Sequence, residues 1–289
     1  MKQKTGIFDI INVILLTVAS IVCIYPMIYI LFASFSDPAE LIKYNGVLFK
    51  PLGVSTAGYK EVLHNKEVFT GFGNTLFYVT VGTTLSVLVT SMLAYPLSRP
   101  SFKYRRQLQL FVILTMFISG GMIPLYLVVK GLGLLNTRMA IILPSLVSAY
   151  NLTVMRSSLE QLPVSLEESA KLDGANDFVI LFKIILPLSK AIVAVMVLFY
   201  GVAQWNMWFN ASIYLKDRNL YPLQLFLREI LINLGSDNMV MDTSTGAKAS
   251  LQQVIKYALI VVSTVPILVI YPFLQKYFVK GVLLGAVKG

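Results

Sequence analysis

The residues best suited to a specific interaction lie between positions 163 and 187, the most polar segment of an otherwise apolar chain. Ser165 and Glu168 have the spacing of a capping box, in which each side chain bonds a backbone N–H at a helix start. Gly174 follows where a helix end favours a residue able to adopt positive φ, and Asn176 can cap a second helix. The pattern predicts a short helix, a sharp turn and an amphipathic helix, which together suit docking into a groove of another protein.

Other chemistry has little support in the sequence. No glycine-rich loop of the form G-x-x-x-x-G-K-[ST] is present, so the chain is not expected to bind ATP in that manner. The long uncharged runs contain no carboxylate or histidine that would serve a proton relay. Cys23 and His64 are the single cysteine and histidine, too few for a classical metal site. The sequence therefore predicts no enzyme, no directly bound cofactor and no metal.

Composition places the chain in a membrane. Of its 289 residues 56% are hydrophobic and 13% charged, and the mean hydropathy is +0.74, whereas a soluble domain has about 25% charged residues. Uncharged runs near the ~20 residues needed to cross a bilayer must be helical, because lipid satisfies no backbone hydrogen bonds. We predict a single all-α membrane domain over residues 1–289 with a polar loop at about 156–189. The six predicted spans are residues 10–33, 72–97, 108–129, 138–155, 190–212 and 254–274.

The net charge of +10 is spread over many connections between predicted spans, which disfavours a nucleic-acid surface. Positive residues instead gather where the positive-inside rule expects cytoplasm. The short connection after the second span holds Arg99, Lys103, Arg105 and Arg106 with no acidic residue. With six spans, this distribution predicts that both termini and the 156–189 loop are cytoplasmic.

The polar loop also resembles a known motif. Glu168-Ser169-Ala170, Asp173-Gly174-Ala175 and Leu186-Pro187 are similar to the "EAA" loop of ABC importer permeases, with Ser169 replacing an alanine. In that family the loop sits in a cleft of the ATP-hydrolysing subunit. The resemblance implies an ATPase-coupling role for Glu167, Glu168, Ser169, Ala170, Asp173, Gly174, Ala175, Phe182 and Pro187.

Further stretches extend the resemblance. Pro124-Leu125-Tyr126, Trp205-Asn206 and the 275–281 segment are similar to maltose-type carbohydrate permeases, nearest the Gram-positive branch that handles complex sugars. This implies the permease fold in a bacterial cytoplasmic membrane, importing oligosaccharides or related carbohydrates. The implied partners are a second permease, two ATPase subunits that use ATP and magnesium, an extracellular sugar-binding protein, and lipid.

Aromatic faces and neutral amides recognise sugars, and both cluster near one end of the fifth predicted span. The candidates are Gln204, Trp205, Asn206, Trp208 and Asn210. Helical spacing predicts that Gln204 and Trp208 share a face while Asn206 faces a neighbouring helix. The alternative is that the tryptophans belong to an interfacial aromatic belt.

Two other functions remain open at this point. A sugar channel working without ATP would not need the polar loop. A membrane enzyme on lipid-linked sugars would need a catalytic carboxylate, for which only connecting residues such as Asp217 or Glu229 are available.

Overall fold

The computed structural model describes the backbone of residues 6–237 and 246–286, and the side chains of residues 6–232 and 250–272. Over these residues the regular elements are helices, apart from one isolated antiparallel bridge between Ser36 and Val54. The all-α prediction is therefore confirmed for the described part of the chain.

Contacts divide the chain into two compact units. One comprises the described residues up to Phe69 and those within Leu227–Val265, and the other comprises Thr70–Phe226 and the described residues from Pro266 onward. The helices, in order, are α1 (Ile7–Ser34), α2 (Pro38–Lys43), α3 (Ala57–His64), α4 (Lys66–Phe77), α5 (Thr83–Ser98), α6 (Arg105–Phe117), α7 (Met122–Gly131), α8 (Met139–Ile142), α9 (Ala149–Leu159), α10 (Ser165–Leu172), α11 (Asp177–Val179), α12 (Leu186–Leu188), α13 (Lys190–Trp205), α14 (Phe209–Tyr214), α15 (Leu223–Asp237) and α16 (Gly246–Ala286).

Short irregular turns connect several of these helices without a loop. A π-helical turn at Tyr78–Gly82 joins α4 to α5, and another at Ile180–Ile185 joins α11 to α12. The 3-10 turn Leu143–Ser145 follows α8, and Arg218–Leu220 forms a second such turn.

Helix α1 is apolar around its whole circumference. Within the first unit its buried residues are Ala33 and Ser34, at the helix end, and large side chains such as Ile14 and Val22 are exposed. A helix that is hydrophobic on every side needs an apolar solvent, and its 28 residues exceed the ~20 required to cross a bilayer. The first predicted span thus coincides with a helix fit for lipid.

Two further continuous helices are long and apolar enough to span a membrane, namely Lys66–Ser98 and Ser250–Pro272. Three other candidates are pairs of helices that pass only together. The pair α6 and α7 bends by 115°, the pair α8 and α9 by 51°, and the segment Asp177–Leu188 meets α13 at 88°. The six predicted spans overlap these single helices and bent pairs in position.

One buried core cluster of the second unit lies around α5, α9, α10 and α13. Its fully buried members include Ala94, Met155, Ile185 and Met196. Ala170 of α10 belongs to the same cluster, so the polar loop is packed onto the span helices.

Candidate functional site: the loop at residues 156–189

Helix α10 begins where the sequence predicts, at Ser165, but the capping box is absent. Val164 is the N-cap and already has helical backbone angles, and no side chain caps the helix. The backbone N–H of Glu168 donates to the carbonyl of Val164 at 3.1 Å. That donor is therefore satisfied by the backbone, and the Ser165 hydroxyl has nothing to cap. The predicted Ser165–Glu168 interaction is wrong for this reason.

The other end of α10 is a sharp turn, as predicted. Gly174 has φ of +81°. The N–H of Ala175 donates to the carbonyl of Ala170 at 2.9 Å, and that of Gly174 to Lys171 at 3.0 Å. These two bonds define a Schellman motif, which satisfies the carbonyls left free at a helix end.

Asn176 begins the next helix. Its side-chain oxygen accepts a hydrogen bond from the N–H of Val179 at 2.9 Å, which confirms the predicted cap. The chain then continues through α11 and α12 to Ser189, where it bends into α13. Capping at both sides of Gly174 holds α10 at a defined angle to the segment that leads into the fifth predicted span.

Glu167 points into the protein. Its Oε2 lies 3.1 Å from Nε of Arg99, and the two side chains are 7% and 4% exposed respectively. Its other oxygen, Oε1, accepts a hydrogen bond from Nζ of Lys171 at 2.8 Å. The ammonium group of Lys171 also lies 3.4 Å from Asp177, across the Gly174 turn. The hydrogen bond to Glu167 is the main reason why the pKa of Lys171 is raised.

Further charges join the loop to the short connection after α5. Arg105 lies 3.8 Å from Glu160, which also pairs with Arg156. Nε of Arg156 donates to the carbonyl of Leu97 at 3.3 Å. The basic connection and the polar loop therefore lie at the same end of the second unit.

The opposite face of α10 is open. Glu168, Ser169 and Asp173 are exposed, and Leu172 is 91% exposed. Phe178, just beyond the turn, is 63% exposed. Sequence reasoning missed Leu172 and Phe178, although two apolar side chains in the most polar loop were the available signal. The remaining family-implied residues are Ala170, which is buried, Ala175, which is half-buried, and Phe182 and Pro187, which are exposed.

The second candidate group, near residues 204–210, does not lie on one helix. Helix α13 ends at Trp205, and α14 begins at Phe209. Helical spacing does not run through the intervening residues, so the predicted shared face of Gln204 and Trp208 is wrong. The predicted contact of Asn206 with a neighbouring helix is also not seen in this chain. Asn206 is exposed and donates to the carbonyl of Val202 at 2.9 Å.

The remaining members of this group divide by burial. Gln204 is 2% exposed, donates to the hydroxyl of Ser145 at 3.2 Å, and lies so close to Gly82 that a Cβ there would come within 2.9 Å of it. Trp205 is also buried, edge-on to Phe72 at 6.0 Å between ring centroids. Trp208 and Asn210 are half-buried. The break in the helix thus separates two buried residues from three accessible ones.

An apolar cleft of about 480 Å³ runs along α5 and α13 within the second unit. Thr80, Thr83 and Thr84 contribute to its lining, and Trp205 lies on its wall. Ile267, Ile270 and Tyr271 of α16 also contribute to its lining. Helix α5 therefore connects the polar loop, at Arg99, with the wall of a cleft between predicted spans.

Comparison with known proteins identifies the family of the chain. Residues 86–284 match the family described as "Binding-protein-dependent transport system inner membrane component". The chain is 40% identical over 288 residues to the polygalacturonan/rhamnogalacturonan transport system permease protein YtcP of Bacillus subtilis, covering 99% of this chain and 100% of that protein. It is 41% identical to Protein LplC of the same organism, covering 100% of this chain and 97% of the relative. A solved bacterial ABC transporter involved in the import of the acidic polysaccharide alginate matches with TM-score 0.86 and 33% identity, over 96% of this chain and 99% of that one.

We expect Gly174→Val to loosen the turn after α10. A Cβ at this position would meet no heavy atom within 4 Å, so the cost is that of the left-handed backbone, roughly 1–2 kcal/mol for a residue with a side chain. A loss of that size raises the open population about 5- to 30-fold. Trypsin cleavage after Lys171 in the purified protein should accelerate accordingly if opening is faster than cleavage.

Gly174→Asn is the matched control, because asparagine adopts this conformation more readily. It should be cleaved at close to the wild-type rate. Equal cleavage of the valine variant and the wild type would show that positive φ does not hold the turn.

Proposed function

The chain belongs to the binding-protein-dependent transport system inner membrane components, the permease subunits of ABC importers, and on that premise we propose that it carries oligosaccharides or related carbohydrates across the bacterial cytoplasmic membrane. The chain is a permease subunit and not an enzyme, and ATP is hydrolysed by a separate subunit. The sugar class is proposed because YtcP is named as a polygalacturonan/rhamnogalacturonan permease and the matching solved transporter imports alginate.

The observation that carries the coupling role is the exposed face of α10. A helix of eight residues, about 12 Å long, presents Glu168 and Leu172 together, since residues four apart share a face. Leu172 and Phe178 are large apolar side chains left exposed in a polar loop, and burying them against another subunit would be favourable. We assign this face to the ATPase subunit.

The complete importer then contains this chain, a second permease, two ATPase subunits with their ATP and magnesium, and an extracellular sugar-binding protein. A mixed permease pair is proposed because the resembled carbohydrate permeases usually work in pairs of unlike chains. A sugar channel independent of ATP is the less favoured alternative, because it gives the exposed face of α10 no purpose.

We further propose six spans with both termini in the cytoplasm. Contacts within the second unit support alternating crossings. Arg99 and Arg105 join the polar loop at one end. At the other end Asn136 accepts hydrogen bonds from the N–H groups of Lys216 and Asp217, at 2.9 and 2.8 Å. Connections that should share a side of the membrane are therefore close together.

The accessible residues around the break after α13, namely Asn206, Trp208 and Asn210, are proposed to face the sugar path. A helix end leaves backbone groups without intrahelical partners, and in a membrane such groups are tolerated where they are buried in protein or line a wet cavity. The sequence also predicts Gln204 and Trp205 as path residues, and because both are buried we propose that they support its wall.

The proposed function is tested by Leu172→Asp in the co-expressed transporter. Losing the burial of one leucine, about 1.5–3 kcal/mol, should weaken ATPase binding about 10- to 100-fold. We expect the ATPase to be lost on purification through a tag on the permease, and ATP-dependent uptake of labelled oligosaccharide into proteoliposomes to disappear.

Val54→Asp provides the control, because Val54 is 85% exposed in the predicted first outer connection. It should leave the amount of co-purified ATPase unchanged. Uptake that continues without ATP, or an unaltered ATPase content in Leu172→Asp, would favour the channel over the importer. Acidic and neutral oligosaccharides tested in the same assay would identify the class of sugar.

Topology is tested by single cysteines in a Cys23→Ala background. Positions Thr56 and Lys130 should react with a membrane-impermeant thiol reagent in intact cells, and Ser101 and Ser157 should not. All four residues are exposed in the chain, so a missing reaction reports the membrane side. Inverted vesicles should give the opposite pattern, and the same labelling in both preparations would contradict the proposed crossings.

Substitutions at the break after α13 should separate a path from a packing role. Trp208→Phe and Asn206→Ala are expected to reduce sugar uptake while leaving the yield of assembled complex unchanged, because phenylalanine keeps much of the packing of the half-buried Trp208 and Asn206 is exposed. Trp205→Ala should reduce the yield, since truncating a buried tryptophan costs about 3–5 kcal/mol. Normal uptake by both the Trp208 and Asn206 variants would show that these residues lie outside the path.

A further inference from the structure

Helix α5 ends directly beside α10. Arg99 is the C-cap of α5, a position where a positive charge interacts favourably with the helix dipole. Its guanidinium carbon lies 5.3 Å from the ring centroid of Tyr95, one turn earlier. The arginine is therefore folded back along its own helix and does not extend into the cytoplasm.

The partner of Arg99 is 68 residues further along the chain. Glu167 approaches Nε of Arg99 at 3.1 Å with both side chains more than nine-tenths buried. Among the described residues, Nη2 of Arg99 and Oε2 of Glu167 have no hydrogen-bond partner of good geometry. The contact is thus a close pairing of buried charges that is not fully satisfied by hydrogen bonds.

An apolar contact accompanies the ion pair. Ala170, three residues after Glu167 and so on the same side of α10, packs in one cluster with Ala94, Tyr95 and Leu97 of the α5 segment. Apolar packing is non-directional, whereas an ion pair depends on the distance between two particular atoms. The cluster contains residues of both α10 and α5, and the ion pair sets the position of α10 along α5.

We propose that Arg99 and Glu167 form the mechanical link through which movement of α10 reaches α5, with Glu167 as a positioning residue and its neighbour Glu168 as the contact to the ATPase. The proposal rests on the importer function above. Helix α5 carries Thr83, Thr84 and Val87 on the wall of the apolar cleft. A shift of α10 transmitted to Arg99 therefore moves the helix that shapes this cleft.

The chemistry of the pair suits such a link. A buried ion pair adds little net stability compared with apolar residues, and its best-attested use is to specify one arrangement among several. Removing one partner leaves the other charge buried without compensation. Any movement of α10 that α5 does not follow would separate the two buried charges, and is therefore energetically unfavourable.

The test measures sugar transported per ATP hydrolysed by the full complex in proteoliposomes, with the loaded binding protein present. Glu167→Gln and Arg99→Gln are each expected to lower this ratio by about fivefold or more, the lower end of typical coupling between sites. The double variant should be no worse than the poorer single variant, since both remove the same interaction. Each complex should keep its ATPase subunits.

Glu160→Gln is the matched control, because Glu160 is ion-paired in the same loop but exposed. It should change the ratio less than about twofold, as expected for an exposed pair. Glu168→Gln should instead lower the amount of bound ATPase. A wild-type ratio in the Glu167 and Arg99 variants, or losses that multiply in the double variant, would overturn the link.

If the glutamine variants do not assemble, Glu167→Asp carries the test, because it keeps the charge and shortens the reach. It should assemble and still transport less sugar per ATP, and a wild-type ratio would overturn the proposal. A wild-type complex without ATPase, by contrast, would contradict the importer function itself. Failure of the link and failure of the proposed function are therefore distinguishable.

Discussion

Backbone hydrogen bonding in hydrocarbon is the constraint on which this structure depends. Lipid offers no partner for a free N–H or C=O, so a crossing segment must be helical. Wherever a predicted span is interrupted, the backbone N–H and C=O groups that are freed need hydrogen-bond partners nearby. The turn at Tyr78–Gly82 stays helical with a wider bond pattern, and the bend at Ser189 has the N–H of that residue donating to the carbonyls of Ile185 and Leu186. At these two points the chain itself supplies the bonds.

The same constraint explains which features the sequence alone could predict. Helix caps and turns could be predicted from the sequence, because they depend on residues that are neighbours in the chain. Gly174 and Asn176 form the predicted turn and cap, and the apolar runs that predict spans become helices or bent helix pairs. The end of α13 could not be predicted, because the residues around Asn206 carry no charge and contain no proline or glycine between Gly201 and Pro222.

The contact between Arg99 and Glu167 could not be predicted, because the two residues are distant in the chain. Arg99 was interpreted only as a cytoplasmic charge, and Glu167 only as part of a helix start and a family motif. Their contact depends on how α5 and α10 pack, which no local pattern encodes. The capping box failed for a local reason, because Pro163 and Val164 already form the first turn. A buried pair of this kind is costly to disrupt, about 3–5 kcal/mol when one partner is removed, so it restrains the whole loop.

Helix α10 has only about two turns, yet its two faces contact different surroundings. Glu167 and Ala170 face α5, whereas Glu168 and Leu172 face outward. The division follows from the 100° rotation between successive helical residues, which turns adjacent glutamates to different surroundings. The Schellman turn and the Asn176 cap join α10 to the helical segment Asp177–Leu188, which meets α13 at a bend of 88°.

A movement of the outward face of α10 is consequently transmitted at two points, to α5 through Arg99 and to α13 through the bend. Those are two of the helices whose residues line the cleft, so a displacement of the short helix α10 changes the width of a space between predicted spans.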